Sequence, residues 1–409
     1  MFRQPFPPVL NRILAVASLI LLSATLAWSG SYKVLHDFSG RLAKIPSSGL
    51  VLDAKGNAYG TTAEGGFHAG KGGTVYQLSP QTGFNIIYGF SGPDGMTPRG
   101  NLAIDADGNL YGTTVSGGGN KTGCNGAGCG TVFRLSPPTN GGTWTQTVLY
   151  SFKGGDDGAN PQAGVVVDSA GNLYGTAMNG GTNDFGTVFQ LAPGPNDTWV
   201  ENLVHTFAGN EGGLPQGGLI FDAAGNLYGT SGATVFEITP TGGGWSFIPL
   251  YFFNPRNGDA AGAETGVIFD ANGNLFGTSS FGGAFNLGTV FELTQSQGSW
   301  TEAIIHSFAG GSDGAKPESG LVLDSAGNLY GTTFAGGGNG CSGNGCGTLF
   351  ELIPGQGGQW TERRFSFPGG VPNRGVQPAS TPLLAGGHIY GTTSAGGSEG
   401  AGVAFRIIP

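Results

Sequence analysis

Short apolar runs alternate with glycine-rich polar segments along most of the chain. One stretch shows the pattern well, with runs at residues 100–105, 109–114, 130–135 and 144–152. These runs are short and rich in β-branched and aromatic residues, which is typical of β-strands and not of helices. Only Ala106, Asp107 and Gly108 separate the first two runs. Such a connection predicts a tight hairpin, with Asp105 accepting backbone N–H groups across the turn.

This unit of four strands is repeated. The motif G-N-L-Y-G-T-T and its variants place an aromatic residue at Tyr59, Tyr111, Tyr174, Tyr228, Phe276, Tyr330 and Tyr390. A run of the type G-T-V-F-x-L follows each copy. Repeats separated by about 50 residues are typical of propellers and solenoids. Seven copies of a four-stranded unit predict 28 strands.

The two ends of the repeat region distinguish between these architectures. The chain enters the repeats with a lone fourth-type strand at residues 32–38 and ends with a third-type strand at residues 402–407. The last unit therefore lacks a strand that only the first segment can supply. Closing a ring in this way hides the sheet edges, as in a β-propeller. We expect an all-β fold, a single seven-bladed β-propeller domain over residues 30–409, in which the N-terminal strand completes the last blade.

Residues 1–29 differ in composition from the repeats. Arg3 and Arg12 precede an apolar run at residues 13–28, and Ala27 and Ser29 fit a small-residue cleavage site. This pattern predicts a signal peptide and a secreted, periplasmic or cell-surface protein, with an uncleaved anchor as the alternative. We expect no membrane span after the signal is removed.

The charge of the chain limits its partners. Charged residues make up 11% of the chain and the formal net charge is −9, which becomes −11 once Arg3 and Arg12 are removed with the signal. Nucleic-acid binding requires a basic face. We therefore expect no nucleic-acid partner, and we expect a monomer without a cofactor.

Four cysteines form two matched pairs, Cys124 with Cys129 and Cys341 with Cys346. In an exported protein such pairs predict disulfides, here within two long loops. A zinc site shared by all four cysteines is the alternative. Because the pairs belong to blades 2 and 6, three steps apart around the ring, one ion would not reach both.

The repeat resembles known propeller sequences. The segment P-R-G-N-L-A-I-D-A-D-G-N-L-Y at residues 98–111 resembles the start of an NHL-type blade, in which this strand is innermost. The fuller pattern is similar to the GloVer tandem repeat of exported bacterial proteins and covers the chain after the signal. The resemblance implies a propeller and export, and it supplies no catalytic residues.

If the strands run outward from the axis, loop variation is confined to one face. The loops between second and third strands range from one residue in the fourth copy to fifteen in the second. Variable loops on a repeating scaffold commonly carry function. We expect a glycan, peptide or protein partner to bind there through Phe67, His68, Asn183, Asp184, Phe185, Phe281, Phe285, Asn286 and Phe334. The alternative is that these phenylalanines pack under their own loops.

The innermost strands offer no catalytic chemistry. Between their glycine and the turn aspartate they carry small and aliphatic residues, with Asn101 as the polar exception. We expect no metal ligands and no catalytic residues there, and a non-enzymatic binding function. His36, His205 and His306 alternate with tyrosines at equivalent positions, which indicates packing. An extracellular hydrolase or lyase with catalytic residues in the loops is the alternative.

Overall fold

The computed structural model describes residues 26–27, 30–66, 72–119, 124–139, 141–371 and 373–409. Most of the predicted signal peptide and two candidate binding residues, Phe67 and His68, lie outside these residues. No helix in the described ranges is long and apolar enough to cross a membrane.

The described chain forms a seven-bladed propeller of four-stranded antiparallel blades, as the repeat predicted. The innermost strands are two or three residues long and lie at Val51–Leu52, Ala103–Ile104, Val166–Val167, Ile220–Phe221, Val267–Phe269, Val322–Leu323 and Leu383–Ala385. The second strands, which carry the Y-G-T motif, are Ala58–Gly65, Leu110–Thr114, Leu173–Ala177, Leu227–Ser231, Leu275–Ser279, Leu329–Thr333 and His388–Gly396.

The outer half of each blade has longer strands. The third strands are Thr74–Ser79, Thr131–Ser136, Thr187–Pro193, Thr234–Thr241, Thr289–Ser296, Thr348–Pro354 and Val403–Ile408. The fourth strands are Gly83–Gly89, Thr145–Ser151, Trp199–Thr206, Gly244–Phe252, Ser299–Ser307, Trp360–Ser366 and Ser31–Asp37. Within the described residues, these four sets of seven account for the 28 strands expected from the repeat.

The ring closes where the chain ends meet. Ser31–Asp37 pairs antiparallel with Val403–Ile408, with Tyr32 opposite Ile407, and so forms the outer strand of blade 7. The predicted closure is therefore confirmed. Within the predicted signal peptide, Leu26–Ala27 pairs parallel with the outer strand of blade 6.

A few further elements decorate the loops. Additional short strands are Ala43–Pro46, Ala260–Ala261, Phe281–Gly282 and Gly375–Pro378. Single turns of 3-10 helix occur at Cys124–Gly126, Gly155–Asp157, Pro195–Asp197, Pro255–Asn257, Cys341–Gly343 and Gln356–Gly358.

The glycine of the Y-G-T motif is required by packing. In blade 6, a Cβ atom on Gly331 would lie 2.4 Å from the Cζ atom of Phe350, the buried aromatic residue of the facing third strand. Equivalent close approaches occur in the other blades at Gly60, Gly112, Gly175, Gly229, Gly277 and Gly391. The motif therefore creates the space that its own blade's aromatic ring fills.

The same aromatic residue joins neighbouring blades. The phenylalanine that follows each fourth strand packs edge-on or tilted against it, as in Phe90 with Phe133, whose ring centroids lie 5.0 Å apart. This contact is made at all seven seams, including Phe38 with Tyr76 where the ring closes. Burying an aromatic side chain contributes roughly 1.5–3 kcal/mol, so the seams hold much of the core.

Motif threonines add polar contacts between blades. Thr113 Oγ1 donates to the carbonyl of Ala163 in the next blade at 2.7 Å. At the closing seam Thr392 Oγ1 donates to the carbonyl of Ser48 at 3.2 Å. These two buried hydroxyls are satisfied in this way, as most buried polar groups are.

Candidate functional site

The two kinds of variable loop lie together on one face, as the strand order predicted. Loops that lead from one blade to the next pair with the loops between second and third strands. Met96 bridges to Ser116 and Ala315 bridges to Ala335. The short hairpins lie at the other end of the blades. We call these two ends the loop face and the hairpin face.

The hairpin face is occupied by structural hydrogen bonds. Asp105 Oδ1 accepts the N–H groups of Asp107 and Asn109, and its Oδ2 accepts bonds from the Asn109 amide and the Tyr111 hydroxyl. The same turn-capping pattern recurs at Asp53, Asp168, Asp222, Asp270 and Asp324. The asparagine and tyrosine of the repeat motif therefore serve the turn.

The exposed phenylalanines of the candidate set lie on loops of blades 3 and 5. Phe185, Phe281 and Phe285 are 40%, 48% and 58% exposed. Phe185 lies against Gly209 and Gly213 of the neighbouring loop, and Phe281 lies beside Gly262. These two rings thus pack partly on adjacent loops and still present much of their surface to solvent.

Two polar members of the candidate set form hydrogen bonds within their own loops. Asp184 Oδ1 accepts the N–H of Gly180 at 2.7 Å, and Asn286 Oδ1 accepts the N–H of Gly282 at 3.0 Å. Both residues have positive φ, 58° and 53°. Asn183 is exposed beside this turn. Asp184 and Asn286 therefore stabilise equivalent turns in two blades.

One cavity, which we call the channel mouth, lies at the central channel. It has a volume of about 980 Å³ and is lined by the innermost strands and by the loop-face segments that lead into them. Of the described candidate residues only Phe334 lines it. Ile104, Val167 and Phe221 of the innermost strands form an apolar wall. The structure thus separates Phe334 from the loop phenylalanines of blades 3 and 5.

The polar residues of this mouth were missed in the sequence because they precede the innermost strands. Each blade enters its inner strand through a P-x-x-G segment or a variant, and the side chain after the proline position faces the channel. Around the ring these residues are Ser47, Arg99, Gln162, Gln216, Glu264, Glu318 and Ala379. We call this set the mouth ring. The sequence signal was a position in a regular segment at which polar and charged side chains differ between blades.

Charge is distributed unevenly over the mouth ring. Arg99 stands on one side, the two glutamines follow, and Glu264 and Glu318 come next. Burial raises the pKa of Glu264, and a hydrogen bond with Gln216 opposes this. Burial also raises the pKa of Glu318, with Lys316 lowering it and the charge of Glu264 raising it. The two carboxyl groups are therefore close enough to repel each other.

Asn101, the polar exception on the inner strands, is structural. Its Oδ1 atom accepts the N–H of Gly49 in blade 1 at 2.6 Å. The bond joins the inner strands of two adjacent blades. The remaining inner-strand positions are apolar, including Phe221 and Phe269, and carry no catalytic side chain.

The histidine and tyrosine positions on the outer strands do more than pack. His205 Nε2 lies 3.0 Å from Glu211 Oε1, and Tyr251 donates to Asp259 Oδ2 at 3.1 Å. Tyr88 with Asp94 and Tyr150 with Asp157 form the same contact. The prediction of a pure packing position was incomplete, because these rings also bind the acid that caps the following loop.

Both predicted disulfides are confirmed. Cys124 is bonded to Cys129 and Cys341 to Cys346, with Cα atoms 5.3 Å and 5.2 Å apart. The alternative of a zinc ion shared by all four cysteines is therefore excluded. Cys129 and Cys346 are buried, so each bridge ties its loop to the side of a blade.

Similar structures show the fold. A chain of the mitotic checkpoint complex is 10% identical, with a TM-score of 0.56 and 99% of each chain covered. A gluconolactonase of Xanthomonas campestris is 12% identical, with a TM-score of 0.43, and 95% of this chain and 92% of that chain are covered. A putative 6-phosphogluconolactonase of Bacteroides uniformis is 11% identical, with a TM-score of 0.48 over 78% and 84% of the two chains. At these identities the likeness extends to architecture alone.

Sequence comparison identifies the family. No curated protein matches the chain. The model of the Gloeobacter/Verrucomicrobia repeat matches twice, over residues 23–233 and 123–343. These overlapping matches span most of the blades described above, so the chain belongs to the Gloeobacter/Verrucomicrobia repeat family.

Proposed function

We propose that this protein is an exported, non-enzymatic propeller that binds a glycan at the channel mouth on its loop face. The observation that carries the proposal is the mouth ring. Positions that build the blades repeat almost unchanged, whereas the ring positions differ from blade to blade and line a cavity of about 980 Å³. Differences of this kind are not required by the fold and are expected of a binding surface.

The chemistry of the mouth suits a hydroxyl-rich ligand. Carboxylates accept hydrogen bonds, and the amides of Gln162 and Gln216 both donate and accept. The half-buried ring of Phe334 and the aliphatic channel wall offer an apolar surface beside them. Sugars present hydroxyl groups and apolar C–H faces together, so they match both parts of this lining.

Export is supported by the predicted signal peptide and by the disulfides. Two disulfides in one chain are typical of an oxidising compartment. A secreted, a periplasmic and a surface-bound location would each place the protein in such an oxidising compartment. Expression with the native N-terminus, followed by fractionation and N-terminal sequencing, distinguishes among them.

A glycan array probed with the wild-type protein tests the binding proposal. We expect selective binding to a subset of glycans, and at least a tenfold loss of affinity in Gln216→Ala and Glu318→Gln. The control is Gln295→Ala, at an exposed site near the end of a third strand. Binding that is unchanged in both mouth variants would exclude this site, and absence of any glycan binding would favour a peptide or protein partner.

One observation favours an enzyme as the second candidate. Glu264 and Glu318 face the same cavity and both have raised pKa values. A carboxyl group with a raised pKa is better suited to act as a general acid. The test is release of reducing ends from bound glycans. A hydrolase or lyase would show this release in wild type and lose it in Glu318→Gln, whereas a binding protein shows no release at all.

A further inference from the structure

Several seams between blades have a related contact away from the channel. An aromatic residue near the end of a fourth strand meets an acid in the following loop. A side chain from the fourth strand of the next blade faces both. At the seam between blades 5 and 6 these three residues are His306, Asp313 and Glu362.

Potential ligand atoms converge at this seam. One nitrogen or oxygen atom from each of the three side chains lies within 4.8 Å of the other two. His306 Nε2 is 3.4 Å from Asp313 Oδ1. Asp313 Oδ2 accepts the N–H of Ala309 at 2.6 Å, which fixes the carboxylate. The three groups thus surround a common point between two blades.

Two of these atoms are buried without a well-formed hydrogen bond. They are His306 Nε2 and Glu362 Oε1. The side chain of Glu362 is only 7% exposed, and the side chain of His306 is 20% exposed. When Glu362 and Asp313 are both ionised they are acceptors only, so in that state neither satisfies the other. Buried polar atoms without partners are costly, and a bound ion is one of the ways in which proteins satisfy them.

Arg364 shapes this site without filling it. Its Nη1 atom donates to Glu362 Oε2 at 2.6 Å and lies 3.4 Å from Asp313 Oδ1. The guanidinium therefore holds Oε2 of Glu362, and Oε1 is buried without a hydrogen-bond partner. Two carboxylates and one guanidinium leave a net negative charge when the imidazole is neutral. A divalent cation would find both ligands and charge compensation there.

We propose that the seam between blades 5 and 6 binds a divalent transition-metal ion such as Zn²⁺, through His306 Nε2, Asp313 Oδ1 and Glu362 Oε1. One imidazole and two carboxylates form a donor set that such ions accept, with positions left for water. His306 belongs to blade 5 and Glu362 to blade 6, with Asp313 in the loop between them. The ion would cross-link the two blades.

The other seams serve as an internal comparison. Between blades 4 and 5 the set is Tyr251, Asp259 and Glu302, in which tyrosine takes the place of histidine. Between blades 3 and 4 it is His205 with Glu211, and Phe247 stacks on His205 in place of the second acid. Within the described ranges of the chain, a complete cluster of three ligands occurs once. None of these three residues lies on the innermost strands, so the sequence analysis of those strands did not indicate the cluster.

Calorimetric titration of the chelator-treated full protein with ZnCl₂ tests the proposal. We expect one Zn²⁺ per chain with a dissociation constant below about 10 μM, and at least a hundredfold loss in His306→Tyr. This variant reproduces the residue set of the seam between blades 4 and 5, so it retains a hydrogen-bond donor to the acid. The matched control is His205→Tyr, which leaves the three ligands in place and is expected to bind one Zn²⁺ as tightly as wild type.

A second readout locates the ion. Added Zn²⁺ is expected to raise the Tm of wild type and of His205→Tyr, and to leave the Tm of His306→Tyr unchanged, because only a native-state ligand stabilises the fold. Co²⁺ in place of Zn²⁺ is expected to show visible d–d bands of a protein-coordinated ion, and these bands are expected to be absent in His306→Tyr. Failure of wild type to bind Zn²⁺ below 1 mM, or equal binding by His306→Tyr, would overturn the proposal.

Discussion

Two sets of seven equivalent positions behave in opposite ways around the ring. The second-strand glycines are the same in every blade, and each lies under the aromatic ring of its own third strand. The mouth-ring residues vary from serine and alanine to arginine and glutamate, and their side chains meet the channel. Identity at the first set follows from close packing. Variation at the second set is what the proposed binding site would require.

The largest expected effect is at a second-strand glycine. Gly331→Ala places a Cβ atom 2.4 Å from Phe350 and 2.9 Å from Leu321. We expect a loss of about 3 kcal/mol in the free energy of unfolding, because a well-packed core does not absorb an extra methyl group. Denaturant unfolding measures it. The control is Gly218→Ala, since a Cβ atom at this channel-lining glycine meets nothing within 4 Å. Equal losses of unfolding free energy in Gly331→Ala and Gly218→Ala would contradict the difference between packed blade positions and channel-lining positions.

A smaller loss is expected where a motif threonine joins two blades. Thr113→Val removes the buried hydrogen bond to the carbonyl of Ala163 and leaves that acceptor unsatisfied. The expected cost is about 1–2 kcal/mol. Glu318→Gln, at the mouth, is expected to change unfolding by less than about 0.5 kcal/mol. A mouth variant as destabilising as Thr113→Val would show that the mouth ring supports the fold.

One blade departs from the repeat in a way that predicts a gain. Third strands carry phenylalanine at the central position, except in blade 1, where Tyr76 stands. The Tyr76 hydroxyl is fully buried and has no hydrogen-bond partner. Tyr76→Phe is therefore expected to stabilise the protein by about 1 kcal/mol. A loss of stability would mean that this hydroxyl has a role in the native state.

The seams also predict a pH dependence. Burial and the charge of Asp157 raise the pKa of Glu201 to about 7, and Lys153 opposes the shift. The folded state then holds a proton that the unfolded state has released, so this contribution to stability is present at pH 5 and is lost as pH rises through 7. The free energy of unfolding is expected to be higher at pH 5 than at pH 8 because of this group. Glu201→Gln is expected to reduce that difference by about 1 kcal/mol, a modest value because the side chain is only half-buried. An unchanged difference would contradict the assignment.

The fold could be predicted from the sequence because the four-stranded unit is repeated. Seven copies gave the blade count, and the unmatched strands at residues 32–38 and 402–407 gave the closure. The hairpin turns and the disulfides followed from local rules, because Asp-x-x-Gly-Asn turns and closely spaced cysteine pairs involve neighbours in sequence.

The channel mouth and the seam cluster were harder to predict. Glu264 and Glu318 lie in loops, and the direction of their side chains depends on how each loop enters its inner strand. His306 and Glu362 come from different blades and meet only through the register of two outer strands. Contacts of this kind depend on tertiary geometry that apolar periodicity does not encode.

The most direct test of the contrast uses one protein changed only at the mouth. The variant replaces Gln162, Gln216, Glu264 and Glu318 together with alanine, the residue that blade 7 carries at Ala379. Binding to the best glycan of the array and unfolding in denaturant are measured on the same preparation. The account predicts that binding is lost while the unfolding free energy stays within about 1 kcal/mol of wild type. Retained binding, or a collapse of stability, would contradict it.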